Sequence, residues 1–282
     1  MSNKMFIVYI KSGDEIVSRQ RHTRIGIDLL KLIARHGYRI FDLNTARGLA
    51  PQVGIQDSYL PQVLTYLKQD RWIFPLRNGV YALDVAFLGD IPLHEHEIAM
   101  NLLTPSAISH FSALQYHGLT DQVPFVTYLS TPSSVKIPRL SKKTPQGCLI
   151  NGLLYKIIKV PDTSFFGFVE TWESSSKILY TDREKSLLDG LTSPQYCGGL
   201  SEVLHAFESH VGQIDIKKII EYSLRLSIAT SKRLGWALEE VGVPPEKLKP
   251  LLKRSIKSYT NLDSHQESSG SYNRKWMIRE NL

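Results

Sequence analysis

The stretch that decides the fold of the N-terminal part is residues 58–83, SYLPQVLTYLKQDRWIFPLRNGVYAL. Its first half has apolar residues at the spacing of a buried helix face: Leu60, Val63, Leu64 and Leu67. We predict that Ser58 caps this helix, and Pro61 fits its first turn, where a backbone N–H has no helical partner to lose. In the second half, aromatic and β-branched runs flank Asn78-Gly79, a pair that favours the two-residue turn of a β-hairpin.

Two shorter helices are predicted before this stretch. Apolar residues at helical spacing indicate the first: Ile27, Leu29, Leu30, Ile33 and Ala34. That helix should end at Gly37, and the second should cover Thr45–Ala50 and end at Pro51. Three short helices followed by a β-hairpin predict a winged helix-turn-helix domain with an N-terminal extension in residues 1–90.

Residues 91–282 have the pattern of a mixed α/β domain. Three runs predict strands: Phe125–Thr131, Leu153–Val160 and Ile178–Tyr180. Three further segments predict helices: Ser201–His210, Ile216–Leu226 and Ser231–Val241. A helix should also start at Thr104-Pro105-Ser106, and another at Thr181, where Glu184 would complete a capping box. The whole chain is therefore expected to be α+β.

The net charge of +7 is unevenly distributed along the 282 residues. Residues 1–90 hold 12 Lys and Arg against 8 Asp and Glu, a net of +4, and residues 245–282 hold 8 against 4, again +4. The middle, 91–244, holds 14 against 15 and is nearly neutral. The two basic ends indicate either solvated surface or contact with an anionic partner such as nucleic acid.

The composition also predicts a soluble, cytoplasmic protein. The two cysteines, Cys148 and Cys197, lie in different segments and form no CxxC motif, which is typical of a reducing compartment and excludes a zinc ribbon. No apolar run approaches the roughly 20 residues of a membrane span, and the N-terminus lacks a signal-peptide pattern. We expect no membrane association, no metal and no cofactor.

The outward face of the third helix is the predicted contact with double-stranded DNA. With the apolar stripe buried, the candidate groove contacts are Ser58, Tyr59, Gln62 and Thr65, because such side chains can bond base edges or phosphates. The candidates for positioning the DNA backbone are Arg47, Arg77 and Asn78, the last two at the tip of the hairpin. Winged helices also dock on proteins, and this face has few cations, so a protein-interaction adaptor is the alternative.

Two acidic or histidine-rich clusters invite a catalytic interpretation. His94-Glu95-His96-Glu97 lacks HExxH spacing, and we interpret it as a solvated linker. A weaker alternative is a nuclease of a defence system, with its core in residues 125–190 and with Asp162 and Glu184 in its metal-dependent site. Such a nuclease needs an acidic residue two positions before Lys185, and this position holds Arg183. No Asp-x-Asp pair, as nucleotidyltransferases require, occurs anywhere. We therefore predict no enzymatic activity.

Several segments together resemble the AbiEi family of antitoxins from type IV toxin–antitoxin systems. They are WIFPLRNGVYAL (72–83), TPSAISHFSALQYHGLTDQVP (104–124), DREKSLLD (182–189), RLGWALEEVGV (233–243), YTNLD (259–263) and GSYNRKWMIREN (270–281). The resemblance spans about residues 24–282. It departs from the family in the N-terminal extension, in Pro51, and in Asp70-Arg71, where the family often has a glycine before the wing.

The resemblance implies a bacterial or archaeal cytoplasmic protein with two tasks connected with phage defence. The winged helix would bind inverted repeats in its own promoter and repress its operon. The C-terminal domain would counteract a nucleotidyltransferase-like toxin, and type IV antitoxins are thought to do so without a stable toxin complex. The absent Asp-x-Asp pair is consistent with the antitoxin rather than the toxin.

Overall fold

The chain folds as an α+β protein with helices, antiparallel strand pairs and parallel strand pairs. The computed structural model describes residues 13–88, 92–140, 143–144, 147–173 and 176–282. These form two compact units, of which unit 1 runs to Leu93 and unit 2 starts at His94. Within the described part of the chain, every helix is too short or too polar to cross a membrane. The first twelve residues of the predicted N-terminal extension lie outside the described residues.

Unit 1 combines helices with a small antiparallel sheet. Its elements are α1 (Gly13–Arg35), β1 (Ile40–Asp42), α2 (Leu43–Leu49), α3 (Leu60–Gln69), β2 (Ile73–Arg77) and β3 (Val80–Leu83). The sheet order is β1-β3-β2, and Asn78-Gly79 joins β2 to β3 with Gly79 at a φ of +72°. The predicted hairpin is therefore confirmed, because glycine readily adopts the positive φ that this turn needs.

The apolar stripe of α3 packs against α1. The four predicted core residues are all buried: Leu60, Val63, Leu64 and Leu67. Gly26 on α1 allows the two helices to approach closely, since a Cβ there would lie 2.9 Å from the Leu67 side chain. This contact holds α3 by one face and leaves its opposite face outward.

The starts of α2 and α3 differ from the prediction. Helix α2 begins before Thr45, because Asp42 is its cap and accepts the Thr45 N–H at 2.8 Å. Pro51 lies in the first turn of a 3-10 helix, Ala50–Val53, which continues directly from α2. The predicted Ser58 cap of α3 is wrong, since Ser58 lies in the preceding turn and no side chain caps this helix.

Unit 2 is built on a seven-stranded mixed sheet of order β6-β7-β8-β5-β4-β10-β9. Its strands are β4 (Ala107–Ile108), β5 (Val126–Pro132), β6 (Lys143–Thr144), β7 (Gly147–Ile150), β8 (Leu153–Val160), β9 (Phe168–Glu173) and β10 (Ser176–Thr181). The pairs β5–β8 and β4–β10 are parallel, and the other neighbours are antiparallel. The three predicted strands correspond to β5, β8 and β10.

The helices of unit 2 form the larger part of its core. They are α4 (Glu95–Met100), α5 (His110–Tyr116), α6 (Arg183–Thr192), α7 (Leu200–His210), α8 (Ile216–Leu224), α9 (Ile228–Glu240) and α10 (Pro245–Lys253). The helix predicted at Thr104 begins only at His110, because strand β4 comes first. The predicted capping box at Thr181 is wrong, since Asp182 is the cap of α6 and accepts the Lys185 N–H at 2.8 Å.

The basic C-terminal segment is part of the core of unit 2. After α10, it forms a second sheet of order β11-β13-β12, with β11 (Thr260–Asn261), β12 (Ser271–Asn273) and β13 (Ile278–Glu280). Trp276 is completely buried. It lies so close to Gly235 of α9 that a Cβ on that glycine would come within 2.0 Å of the indole ring. The segment therefore stabilises the unit through apolar packing.

Candidate nucleic-acid interface

The outward face of α3 presents polar side chains between its buried residues. Gln62 and Thr65 are exposed, whereas Tyr59 is half-buried against the core of unit 1. Ser58 is exposed but lies in the turn before the helix. The structure thus places Gln62 and Thr65 on one helix face, with Tyr59 and Ser58 at the N-terminal edge of that face.

Two local hydrogen bonds determine what this face offers to a partner. The Gln62 Nε2 donates to the Tyr66 hydroxyl at 3.4 Å, and the Thr65 hydroxyl donates to the Pro61 carbonyl at 2.8 Å. Thr65 therefore offers lone pairs to a donor. Gln62 retains an amide oxygen and a second N–H, the pair of groups with which glutamine bonds an adenine edge.

Arg47 lies on α2 and reaches toward the segment before α3. Its Nε donates to Asp57 Oδ1 at 2.9 Å, with the two side chains 48% and 71% exposed. Exposed ion pairs of this kind contribute about 0–1 kcal/mol to stability. A phosphate could therefore replace the carboxylate of Asp57 as the partner of Arg47 at small cost.

The hairpin tip contacts the start of α2. The Leu43 N–H donates to the Gly79 carbonyl at 2.8 Å. The Thr45 N–H and hydroxyl lower the pKa of Asp42 below its usual value, and the nearby Arg77 charge contributes to the same shift. Asn78 is exposed at the tip, whereas Arg77 is half-buried and faces this carboxylate. The carboxylate of Asp42 therefore offsets part of the electrostatic field of Arg77.

Sequence reasoning did not select Arg71, an exposed residue between α3 and β2. Its φ is +62°, a conformation that a glycine adopts without strain. The Trp72 N–H closes the turn by donating to the Leu67 carbonyl at 2.9 Å. The sequence carries a signal for this turn, since Asp70-Arg71 stands where the resembling family often has a glycine.

The acidic residues considered for a nuclease have structural partners. Asp162 lies on an exposed turn and accepts from the Ser133 hydroxyl at 3.0 Å and from the Ser134 N–H at 3.1 Å. Glu184 lies on α6, 2.8 Å from the Lys218 Nζ, which is also 3.0 Å from Asp182. Burial would lower the pKa of Lys218, but the hydrogen bonds to Glu184 and Asp182 outweigh this effect and raise it.

His94-Glu95-His96-Glu97 is not the solvated linker that the sequence predicts. His94 is the N-cap of α4, and His96 and Glu97 are buried. One nitrogen of each histidine and one carboxylate oxygen of Glu173, on β9, lie within 4.8 Å of one another. Burial, with a smaller effect of His94, lowers the pKa of His96 to about 3, so this ring is neutral at pH 7.

Comparison with solved structures gives a distant similarity in fold. No protein-family model matches the sequence, and no curated protein matches it. The crystal structure of the RV2827C protein from Mycobacterium tuberculosis is similar over 90% of this chain and 90% of its own, with a TM-score of 0.66. Its sequence is 13% identical. At that identity the comparison shows a shared fold, and the chain is similar to RV2827C in fold alone.

Proposed function

We propose that unit 1 is a winged helix-turn-helix domain that binds double-stranded DNA through α3. The observation that carries this proposal is the outward face of α3, where Gln62 and Thr65 stand exposed opposite an apolar stripe that packs on α1. The hairpin β2–β3 follows directly and supplies the wing, with Asn78 at its tip.

The chemistry of this face is that of a major-groove reader. In helix-turn-helix proteins, the second helix of the motif enters the major groove and the helix before it crosses the backbone. Here α3 would be the groove helix, with Gln62 on a base edge. Arg47 on α2, together with Arg77, would lie against phosphates. Each base contact of this kind contributes about 1–3 kcal/mol to discrimination.

We further propose that the protein is an autorepressor and antitoxin of the AbiEi type, without enzymatic activity or cofactor of its own. It would act in a bacterial or archaeal cytoplasm against a nucleotidyltransferase-like toxin. Support comes from the resemblance, because five of its six segments lie in unit 2. All five contribute to one apolar core, through Leu114, Leu187, Leu234, Leu262 and Trp276.

The test of DNA binding is fluorescence anisotropy on a duplex from upstream of the protein's own gene. A scrambled duplex and two salt concentrations accompany it. Gln62→Ala should weaken binding to the upstream duplex by about 5–150-fold, which corresponds to the loss of one base contact. Gln115→Ala, an exposed glutamine on α5, is the matched control and should have no effect. Equal weak binding to both duplexes would contradict the proposal and would leave only generic charge.

Several cations around α3 already interact with other side chains, and this favours a second function, docking on a protein. Arg47 pairs with Asp57, Arg77 faces Asp42, and Lys68 is half-buried with its Nζ 5.9 Å from the Tyr81 ring. In this alternative, α3 would bind the toxin directly. Co-purification of the two proteins, abolished by Gln62→Ala and accompanied by no DNA binding, would identify the adaptor.

A further inference from the structure

We propose that unit 2 holds a divalent transition-metal ion, with Zn²⁺ the best fit, between His94, His96 and Glu173. This site is separate from the proposed DNA interface and does not depend on it. The two histidines belong to the start of α4 and the carboxylate ends β9, so a bound ion would join a helix to an edge strand of the sheet.

The strongest argument is an unmatched pair of hydrogen-bond acceptors. The His94 Nδ1 lies 3.2 Å from the backbone N–H of His96, which donates to it. The same Nδ1 is 2.9 Å from Glu173 Oε2. That carboxylate oxygen is buried and has no hydrogen-bond donor among the described residues. Two acceptor atoms this close repel each other unless a positive charge, either a proton or a metal ion, lies between or beside them.

The remaining atoms of the cluster are held in position by Tyr180 on β10. Its hydroxyl donates to Glu173 Oε1 at 2.9 Å and is 2.7 Å from the His96 Nδ1. This chain of hydrogen bonds fixes the carboxylate and the buried His96 ring together. Metal ligands in proteins are typically oriented by such outer partners, whose loss costs 10–100-fold in affinity.

Exposure and ligand type complete the argument. The His96 side chain is 6% exposed, whereas that of His94 is 51% exposed, so an ion can approach from solvent on the His94 side. Ligands about 2.1 Å from Zn²⁺ lie roughly 3.4 Å apart in a tetrahedron, and rotation of the exposed His94 ring can close the 4.8 Å spacing. Two imidazoles with one carboxylate suit Zn²⁺ and exclude Mg²⁺, which prefers oxygen ligands.

The local geometry explains why the motif lacks HExxH spacing. HExxH spacing places two histidines on one face within a helix. Here His94 is the cap, with an extended backbone, and His96 lies in the first turn of α4. Their rings lie 4.8 Å apart between centroids, at an interplanar angle of 71°. Nitrogens of His94 and His96 can therefore converge although the two residues are only two positions apart at the start of a helix.

The test is isothermal titration of untagged, chelator-stripped full-length protein with ZnCl₂ and, separately, with MgCl₂. We expect one Zn²⁺ per chain, no saturable binding of Mg²⁺, and a higher melting temperature with Zn²⁺. His94→Ala and Glu173→Gln should each weaken Zn²⁺ binding at least about 100-fold. His205→Ala, an exposed histidine of α7, is the matched control and should bind as the unmodified protein does.

Two results would overturn the site. Absence of saturable Zn²⁺ binding would mean that these three side chains form no metal site. Binding that both His94→Ala and Glu173→Gln leave unchanged would place the ion elsewhere among the nine histidines. Because His94 is half-exposed, its substitution should leave the fold intact, and circular dichroism of each variant checks this.

Discussion

Arg71 has a backbone conformation that costs free energy in any residue other than glycine. An L-residue in the left-handed region costs about 1–2 kcal/mol relative to the ordinary helical region, and glycine avoids that cost. The backbone at Arg71 takes this conformation between α3 and β2, beside the proposed DNA-binding face. An exposed cation in such a position suits a phosphate contact better than a purely structural role.

Arg71→Gly should therefore separate stability from binding. We expect the free energy of unfolding in urea to rise by up to about 1 kcal/mol, because the positive φ is then unstrained. The affinity for the upstream duplex should fall, and the slope of log affinity against log salt should become less steep by about one unit. Arg71→Asn, which tolerates the same φ, is the control for the loss of charge. Unchanged affinity in both variants would make Arg71 a structural residue.

His110 gives unit 2 a dependence on pH. It is buried beside Ser109, whose Oγ is 2.8 Å from the His110 Nδ1. Burial lowers the pKa of His110 from 6.5 to about 4, while Asp189 and Lys185 act in opposite directions. Between these values the unfolded chain binds a proton that the folded chain does not, so stability is complete above pH 6.5 and falls as the pH decreases toward 4.

His110→Asn should remove part of this loss. Asparagine tolerates the φ of +53° at this position and does not titrate. Between pH 7 and pH 5, we expect the variant to lose about 2 kcal/mol less unfolding free energy than the unmodified protein. Urea unfolding at the two pH values measures the difference. Equal losses would show that His110 takes up a proton in the folded chain as readily as in the unfolded chain.

At the scale of elements, packing of the C-terminal segment on α9 sets the stability of unit 2. Gly235→Ala should destabilise the unit by about 3 kcal/mol, because the new Cβ would overlap the buried Trp276 ring and neither element can move freely. Gly212→Ala is the matched control, since a Cβ there meets nothing within 4 Å. Thermal or urea denaturation checks both variants. Comparable stability of the two would mean that the Trp276 ring moves aside without penalty.

Elements with strong local signals were predictable from the sequence. The apolar stripe of α3 and the Asn78-Gly79 turn depend on periodicity and on a positive φ, which are local properties. Strand β1 was missed because it is three residues long and exists only through its pairing with β3. The C-terminal segment was misjudged for a similar reason, since the pocket for Trp276 is made by α9, about 40 residues earlier in the chain.

The candidate sites show the same limit. Gln62 and Thr65 could be selected because a helix with one buried face must expose the other. The cluster around Glu173 could not, because β9 lies more than 70 residues after His94 and only the fold of unit 2 brings them together. The environment of Arg77 was also beyond sequence reasoning, since its neighbour Asp42 belongs to the cap of α2.

At the scale of the whole molecule, part of the basic excess at the C-terminal end is structural. Arg254 donates to the carbonyls of Ser223 and Leu226. Arg279 donates to the Ser268 carbonyl. The exposed lysines of this segment are Lys247, Lys249, Lys253, Lys257 and Lys275, of which Lys275 pairs with Glu239. The first four, together with the exposed Arg274, are the cations through which the segment could add to DNA affinity.

Replacing the four lysines by glutamine should leave DNA binding unchanged if unit 1 alone contacts the duplex. We expect the same salt slope as in the unmodified protein, whereas Arg47→Gln with Arg77→Gln should make the slope less steep by about two units. Deleting residues 246–282 cannot replace the four-lysine variant in this test, because the deletion removes the buried Trp276 from the core of unit 2. A less steep slope in the four-lysine variant would show a second contact surface in unit 2.

The burial of Trp276 against Gly235 also sets the order in which the chain can mature on the ribosome. Unit 1 has its entire core, including the hairpin, within the first 93 residues, so it can fold while most of unit 2 is still being synthesised. Unit 2 must wait for Trp276 and Ile278 to emerge before its core is complete. A ribosome stalled before that point would thus carry a folded unit 1 joined to an incomplete unit 2.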